Sequence, residues 1–285
     1  MSLLHDSDIK SLLRQYSVRP RKERGQSFLK SEQIARKIVD AADISAEDSV
    51  LEIGGGLGIL SSILAERSNN VTVIELESGL VAALRDILRE KNNVMIVHGD
   101  ALKVDLPDVN KVVANLPYSI SSEIIFRLLT ESTFDLGVLM FQKEFSDRIL
   151  AIPNSSLYSR LSIDFQYLGT AKRVMDVGAN NFYPIPSVDS AVLKVTKRTS
   201  GPFAKDSKIF FWMVHGLYSY PNKQLRKAMK IWFKNLGKAN LTQAFFSQAE
   251  GMDESSRLRD LSLETLVALS DIVYEMVEAG DLEKP

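Results

Sequence analysis

The chain has 285 residues, 45% hydrophobic and 25% charged, which suffices for one large domain or for one large domain plus a small one. A formal net charge of −1 gives no global sign of a polyanion partner, so any such surface must be local. The absence of cysteine excludes disulfides, thiolate zinc sites and cysteine nucleophiles, and three histidines far apart in sequence (His5, His98, His215) speak against a bound metal.

The first thirty residues carry a basic knot, Arg19, Arg21, Lys22 and Arg24, and then Gly25-Gln26-Ser27-Phe28-Leu29. The knot reads either as a solvated arm or as a strap that contacts phosphates. Ile34, Ile38, Val39 and Ala42 recur at helical spacing, with Ser31 as N-cap. The stretch from Ser49 to Gly54 is the first strand. It runs into Gly54-Gly55-Gly56-Leu57-Gly58 and a helix through Ile59, Ile63 and Leu64. Strand, glycine-rich turn and helix form a nucleotide-binding opening, in which glycine admits positive φ and close backbone approach. The dinucleotide fingerprint G-x-G-x-x-G nevertheless fails, because its third glycine would fall on Ile59 or Ser61.

The second strand, Asn70 to Glu75, ends on an acid about twenty residues after Gly54, the placement that holds a ribose hydroxyl. Leu80, Leu84, Ile87 and Leu88 mark a helix, and the third strand, Val94 to His98, stops at Gly99-Asp100-Ala101-Leu102. The fourth, Val112-Val113-Ala114, ends in Asn115-Leu116-Pro117-Tyr118. Pro117 lacks an N–H and cannot continue a central ladder, so Asn115 sits at a strand's carboxyl end. Its amide oxygen, with nearby backbone carbonyls, can accept hydrogen bonds from an amine, and Tyr118 offers a flat face to a base. Right-handed crossovers bring the ends of successive parallel strands to one edge. Gly54, Glu75, Asp100 and Asn115 are therefore expected to ring one pocket.

Ile124, Ile125, Leu128 and Leu129 give another helix, and Leu136 to Phe141 a fifth strand. A helical stretch over 157–167 precedes an outer strand at Lys172 to Met175. Phe182 to Val188, with two prolines, reads as a rigid extended loop, and Ala191 to Val195 as a last strand hairpinned with the previous one. Thr199-Ser200-Gly201-Pro202 reads as a linker, after which the pattern is helical only. From Ser207 to Ala249 there is no acidic residue. Leu225, Met229, Trp232 and Leu236 share one helix face, while Lys223, Arg226, Lys227, Lys230 and Lys234 take the other. That basic face is either solvated or a phosphate-binding surface. No apolar run is long enough to span a bilayer and no signal peptide opens the chain, so the protein is expected to be soluble and cytoplasmic.

Taken together, these blocks resemble the KsgA-type small-subunit ribosomal RNA adenine dimethyltransferases. The resemblance rests on Gly25 to Leu29, Val50 to Gly58, Val73-Ile74-Glu75, Gly99 to Leu102, Asn115 to Tyr118, Phe182 to Ser190 and Arg257 to Ser262. It implies an α/β fold: a seven-stranded Rossmann-like class I methyltransferase sheet over residues 1–198, then a small all-helical RNA-binding domain over 203–285. It implies S-adenosylmethionine as donor, S-adenosylhomocysteine as product, and dimethylation of two adjacent adenosines in the 3′-terminal hairpin of small-subunit rRNA, during small-subunit biogenesis. By position, Gln26, Ser27 and Leu29 would border the methionine end of the donor, with Gly54 and Gly56 packed under it. Glu75 would hold the ribose, and Asp100 with Ala101 the adenine. Asn115, at the meeting of donor and base, would act with Leu116 and Tyr118 on the target base, and Phe182 is a candidate for the base's other face. RNA contacts are expected at Arg21, Lys22, Arg24, Lys223, Arg226, Lys227 and Lys230. The chain departs from the family at Ser27, often Asn, at Gly55, often Pro, and at 219–224, usually richer in Arg.

Neither metal nor covalent intermediate is expected, since a sulfonium is already an activated donor, and the protein is expected to be a monomer. The competing readings are a large-subunit rRNA adenine methyltransferase of the antibiotic-resistance type, a non-catalytic RNA-binding assembly factor and a nicotinamide oxidoreductase.

Overall fold

The computed structural model describes residues 5–20 and 25–284. The chain divides into two compact units, Met1–Ser146 with Gly169–Lys197, and Asp147–Leu168 with Arg198–Pro285.

The first unit is a doubly wound sheet. Its strands are β1 (Phe28–Leu29), β2 (Ser49–Ile53), β3 (Asn70–Glu75), β4 (Val94–His98), β5 (Lys111–Asn115), β6 (Leu136–Gln142), β7 (Gly169–Val177), β8 (Phe182–Tyr183) and β9 (Ser190–Lys197). Seven of them form one sheet in the order β4-β3-β2-β5-β6-β9-β7, parallel except for the antiparallel β9 and its pairing with β7. Helices α1 (Asp6–Gln15), α2 (Glu32–Ala41), α3 (Ile59–Arg67), α4 (Ser78–Ile87) and α5 (Ser121–Glu131) belong to this unit. The central strands are buried on both faces, which is why they read as mostly apolar runs: Val50, Leu51, Val71, Val73, Val112, Val113, Val138 and Met140 have no exposed surface. Ser31 caps α2 as expected, its hydroxyl accepting the Ile34 N–H at 3.3 Å.

Strand order reverses between β2 and β5, which pair in register at Val50 with Lys111 and Leu51 with Val112. The loops leaving two neighbouring strands there diverge to opposite faces and open a crevice between them. One loop carries the glycines after Ile53; the other is Asn115 to Tyr118.

The second unit holds α7 (Arg160–Leu168), α8 (Ser207–Leu217), α9 (Leu225–Asn235), α10 (Leu241–Gln248) and α11 (Leu263–Glu278), while α6 (Lys143–Ile149) runs across the division. Its core gathers Phe210, Met213, Leu217, Met229, Phe233, Phe245, Leu266 and Val273. Residues 147–168 lie in this unit, although sequence order places them in the first. The cause is packing: Tyr158, Ile163 and Tyr167 are buried in the same cluster, and the Tyr167 ring stacks on Phe210 with centroids 4.1 Å apart. No helix among the described residues is long and apolar enough to cross a membrane.

Candidate active site

A cavity of about 310 Å³ occupies the crevice at the switch point. It is lined from the carboxyl ends of β2, β3, β4 and β5 and from the segment Gly25 to Leu29. Gln26, Ser27, Leu29, Gly54, Gly56, Glu75, Asp100, Ala101, Asn115, Leu116 and Tyr118, all singled out from sequence, line this one space. The four strand-end groups expected to ring a pocket do so.

The glycine turn adopts the positive φ expected of it, +75° at Gly54 and +56° at Gly56. Gly55 is small for another reason. A Cβ there would lie 2.4 Å from Val73 Cγ1 and 3.0 Å from Leu84 Cδ1, so the bulk of these two core residues excludes a larger side chain. This chain's departure from proline at position 55 is thereby matched by its own packing.

Glu75 is 6% exposed, and each of its oxygens accepts a backbone N–H: Oε2 from Gly56 at 3.1 Å and Oε1 from Glu77 at 3.0 Å. Burial pushes its carboxyl above the ordinary range, and the N–H groups of Glu77, Gly56 and Leu76 pull against that shift. The same bonds fix the carboxyl to the glycine turn. Asp100 Oδ1 accepts the Leu102 N–H at 3.0 Å, turning the acid back over its own loop. Gln26 Nε2 donates to Glu77 Oε2 at 2.9 Å.

Asn115 is half-buried, and its Nδ2 donates to the Ser27 carbonyl at 3.4 Å. With the amide nitrogen committed to that side, Oδ1 is left as the acceptor. The following loop has little slack: Leu116 N–H donates to Met140 O at 3.2 Å, Ile120 N–H to Pro117 O at 3.2 Å, and Ser121 Oγ to Pro117 O at 3.3 Å. Tyr118 is held at both ends. Its hydroxyl hydrogen-bonds Ser190 Oγ at 2.7 Å, while burial raises its phenol. At its other end Gly25, at φ +60°, leaves no room for a side chain, since a Cβ there would lie 2.8 Å from Tyr118 Cβ.

Two expectations are corrected. Phe182 does not face the pocket. It is fully buried among Leu29, Ala35, Ile38 and Val192, because β8 pairs antiparallel with β1 and turns the ring into the core. The basic face of α9 is also not free of acids: Arg226 forms an ion pair with Glu254, donates to Gln243 Oε1 at 3.0 Å and lies 5.2 Å from the Phe246 ring centroid. Lys223, Lys227 and Lys230 are exposed. Lys223 and Lys227 line a second hollow together with Asn222, Gln224 and Arg257, the last brought from far along the chain by the pairing of Gln224 with Arg257. Arg21, Lys22 and Arg24 lie outside the described residues.

Sequence reasoning passed over Glu52, which lines the cavity although it sits inside a β-strand. It is 1% exposed, accepts the Ser61 hydroxyl at 2.5 Å, and is pushed up to about 8 by burial, with Glu75 adding to the shift and Ser61 opposing it. A lone acid inside a mostly apolar strand, between Leu51 and Ile53, was the available signal.

The family model described as ribosomal RNA adenine dimethylase matches residues 18–275. The chain belongs to the ribosomal RNA adenine dimethylase family. It is an adenine dimethyltransferase of ribosomal RNA by that membership, which sets aside the nicotinamide reading. It is 39% identical over 268 residues to a protein of Methanosarcina mazei described as "Probable ribosomal RNA small subunit methyltransferase A", covering 94% of this chain and 98% of that one. It is 38% identical over 277 residues to the ribosomal RNA small subunit methyltransferase A of Clostridium botulinum, covering 94% and 99%. A crystal structure of a dimethyladenosine transferase from Plasmodium falciparum superposes with a TM-score of 0.74 at 28% identity, over 89% of this chain and 98% of that one.

Proposed function

We propose that this dimethylase transfers methyl groups from S-adenosylmethionine to the exocyclic amino nitrogens of two adjacent adenosines in the 3′-terminal hairpin of small-subunit rRNA. The observation that carries the donor reading is the chemistry of the cavity. Three carboxyls, Glu52, Glu75 and Asp100, line it, and among its described lining residues there is no Lys, Arg or His. Such a lining suits a ligand with net positive character and disfavours a dinucleotide pyrophosphate. When bound, the donor supplies an electrophilic methyl on a positively charged sulfur. Glu75, fixed to the glycine turn, is placed to accept ribose hydroxyls on its remaining lone pairs, and Asp100 to accept an amino group. Gln26, Ser27 and Leu29 line the same cavity, where the methionine end of the donor would lie.

The adenine amino nitrogen is a weak nucleophile because its lone pair is delocalised into the ring. As it attacks it becomes tetrahedral and gains positive charge. Asn115 Oδ1 and the Leu116 carbonyl offer acceptors for its hydrogens at that moment, so they stabilise the transition state more than the ground state. The anchors on Asn115 and the following loop hold those acceptors in place before the base arrives. A base must leave its stack to enter such a pocket, and Tyr118, pinned by Ser190, offers it one stacking face.

Lys223, Lys227 and Arg257, with Lys230, supply the phosphate-binding surface of the helical unit in this reading, and Arg226 contributes less because Glu254 already neutralises it. The substrate would be met in the cytoplasm by a monomer. Primer extension on small-subunit rRNA treated with protein and S-adenosylmethionine tests the proposal. Stops at two adjacent adenosines of the terminal hairpin support it. Methylation confined to large-subunit rRNA would refute it in favour of the antibiotic-resistance type.

A further inference from the structure

The three carboxyls of the cavity are not equivalent. Glu75 has both oxygens on backbone N–H groups, which favour its charged form. Asp100 is partly exposed, and its carboxylate receives one backbone N–H. Glu52 is the most buried, with one hydroxyl, that of Ser61 on α3, against one of its oxygens. Its neighbours across β3 begin with Val73, its register partner, and the charged group acting on it from that strand is Glu75, a like charge. The remaining titratable groups of the cavity are Asp100 and the phenol of Tyr118, neither of which carries positive charge. Among the described residues, nothing in the pocket wall therefore neutralises an ionised Glu52 until a cation enters.

We infer that Glu52 discriminates methyl donor from spent product: it is protonated in the free pocket, ionises as a sulfonium ligand binds, and takes a proton back once the methyl has left. This inference rests on the sulfonium-donor reading above. The sulfur–methyl bond breaks with its electron pair staying on sulfur, which becomes a neutral thioether. The adenine nitrogen's lone pair forms the new bond to carbon, and that nitrogen then loses a proton to solvent. Glu52, having lost its counter-charge, draws one proton from solvent. The product is thus left beside a carboxyl that no longer attracts it. An enzyme that must exchange product for donor before each further methylation of its substrate gains from that difference.

Burial supports the protonated starting state, since Glu52 is pushed up to about 8. A purely structural Glu52, neutral throughout and serving only to hold Ser61, predicts no proton exchange with ligand.

The test is isothermal titration of the whole protein at pH 7 in two buffers of different ionisation enthalpy, with S-adenosylmethionine and with S-adenosylhomocysteine. The expected result is about one proton released per donor bound and none per product. Glu52→Gln, which keeps the shape and can still accept from Ser61, should abolish the release and reduce the preference for donor over product by at least about tenfold. Ser61→Ala removes the hydroxyl that favours the ionised form, so it should move the pH midpoint of donor binding upward, a change that a structural role would not produce. Donor binding to the parent protein without proton release overturns the inference and leaves the donor reading standing. No donor binding by the parent protein overturns both.

Discussion

Replacing Asn115 by alanine separates a catalytic acceptor from a structural strand end. The side chain donates one hydrogen bond, Nδ2 to the Ser27 carbonyl, and at 3.4 Å it is at the long end of the range. Its loss should cost about 0.5–1.5 kcal/mol of stability, or a few degrees in Tm for a chain of this size. The residue faces the cavity, so no core void opens. If Oδ1 accepts from the target amino group only as that nitrogen turns tetrahedral, the loss falls on turnover. Removing one preorganised polar group of this kind costs about 10²–10³ in rate. The assay is single-turnover methylation of small-subunit rRNA at saturating donor and RNA, with Tm and RNA affinity measured on the same preparation. Asn115→Asp keeps acceptors but sets a carboxylate against the Ser27 carbonyl, where the parent places a donor, so partial activity with a displaced loop is expected. A folded Asn115→Ala variant within about threefold of the parental rate would refute the catalytic reading. Strong destabilisation with near-normal turnover in the folded fraction would establish the structural one.

Glu75→Ala removes the carboxylate proposed to accept ribose hydroxyls, worth about 1.5–3 kcal/mol for charged hydrogen bonds, so calorimetric donor affinity should fall at least about tenfold; unchanged affinity contradicts the proposal. Gly25→Ala forces a left-handed backbone at about 1–2 kcal/mol and drives a Cβ into Tyr118, so both Tm and single-turnover rate should drop. Parental values of both would show that this packing does not matter. For Glu52 the sign follows from its direction of shift. The folded protein keeps a proton that the unfolded chain gives up above its ordinary value of 4.5, so the stabilisation is complete below that pH and is lost as pH rises toward about 8. Parental stability should therefore decline relative to Glu52→Gln by at most about 1.4 kcal/mol per pH unit between these limits, and parallel pH–Tm curves would rule this out. Replacing Lys223, Lys227 and Arg257 by Gln should flatten the log–log salt dependence of RNA binding by about 0.7–0.9 for each phosphate no longer neutralised, with a smaller effect from Arg226→Gln. Identical slopes in parent and triple variant would identify a merely solvated helix face.

The sequence by itself determined the sheet and which strand-end residues line the cavity. Apolar runs rich in β-branched residues, such as Val112 to Ala114, bounded by ladder-breaking or turn residues, read as strands covered on both faces. Once the strands are parallel, handedness alone brings Gly54, Glu75, Asp100 and Asn115 to one edge, so local patterns suffice to locate the site. The tertiary structure decided whatever depends on pairings distant in sequence. Whether Phe182 met a base or the core turned on its register with Leu29, more than a hundred and fifty positions away. Whether Arg226 was free turned on Glu254, which lies beyond the acid-free stretch that made the helix look unopposed. Arg257 joined Lys223 and Lys227 only through a pairing across the helical unit. Residues 147–168 went to the second unit because their aromatic and aliphatic side chains fit its core, not because of where they fall along the chain. Glu52 was visible as a letter, but its environment was not. The cost of charging a carboxyl depends on what surrounds it in space, and strand periodicity carries no information about that.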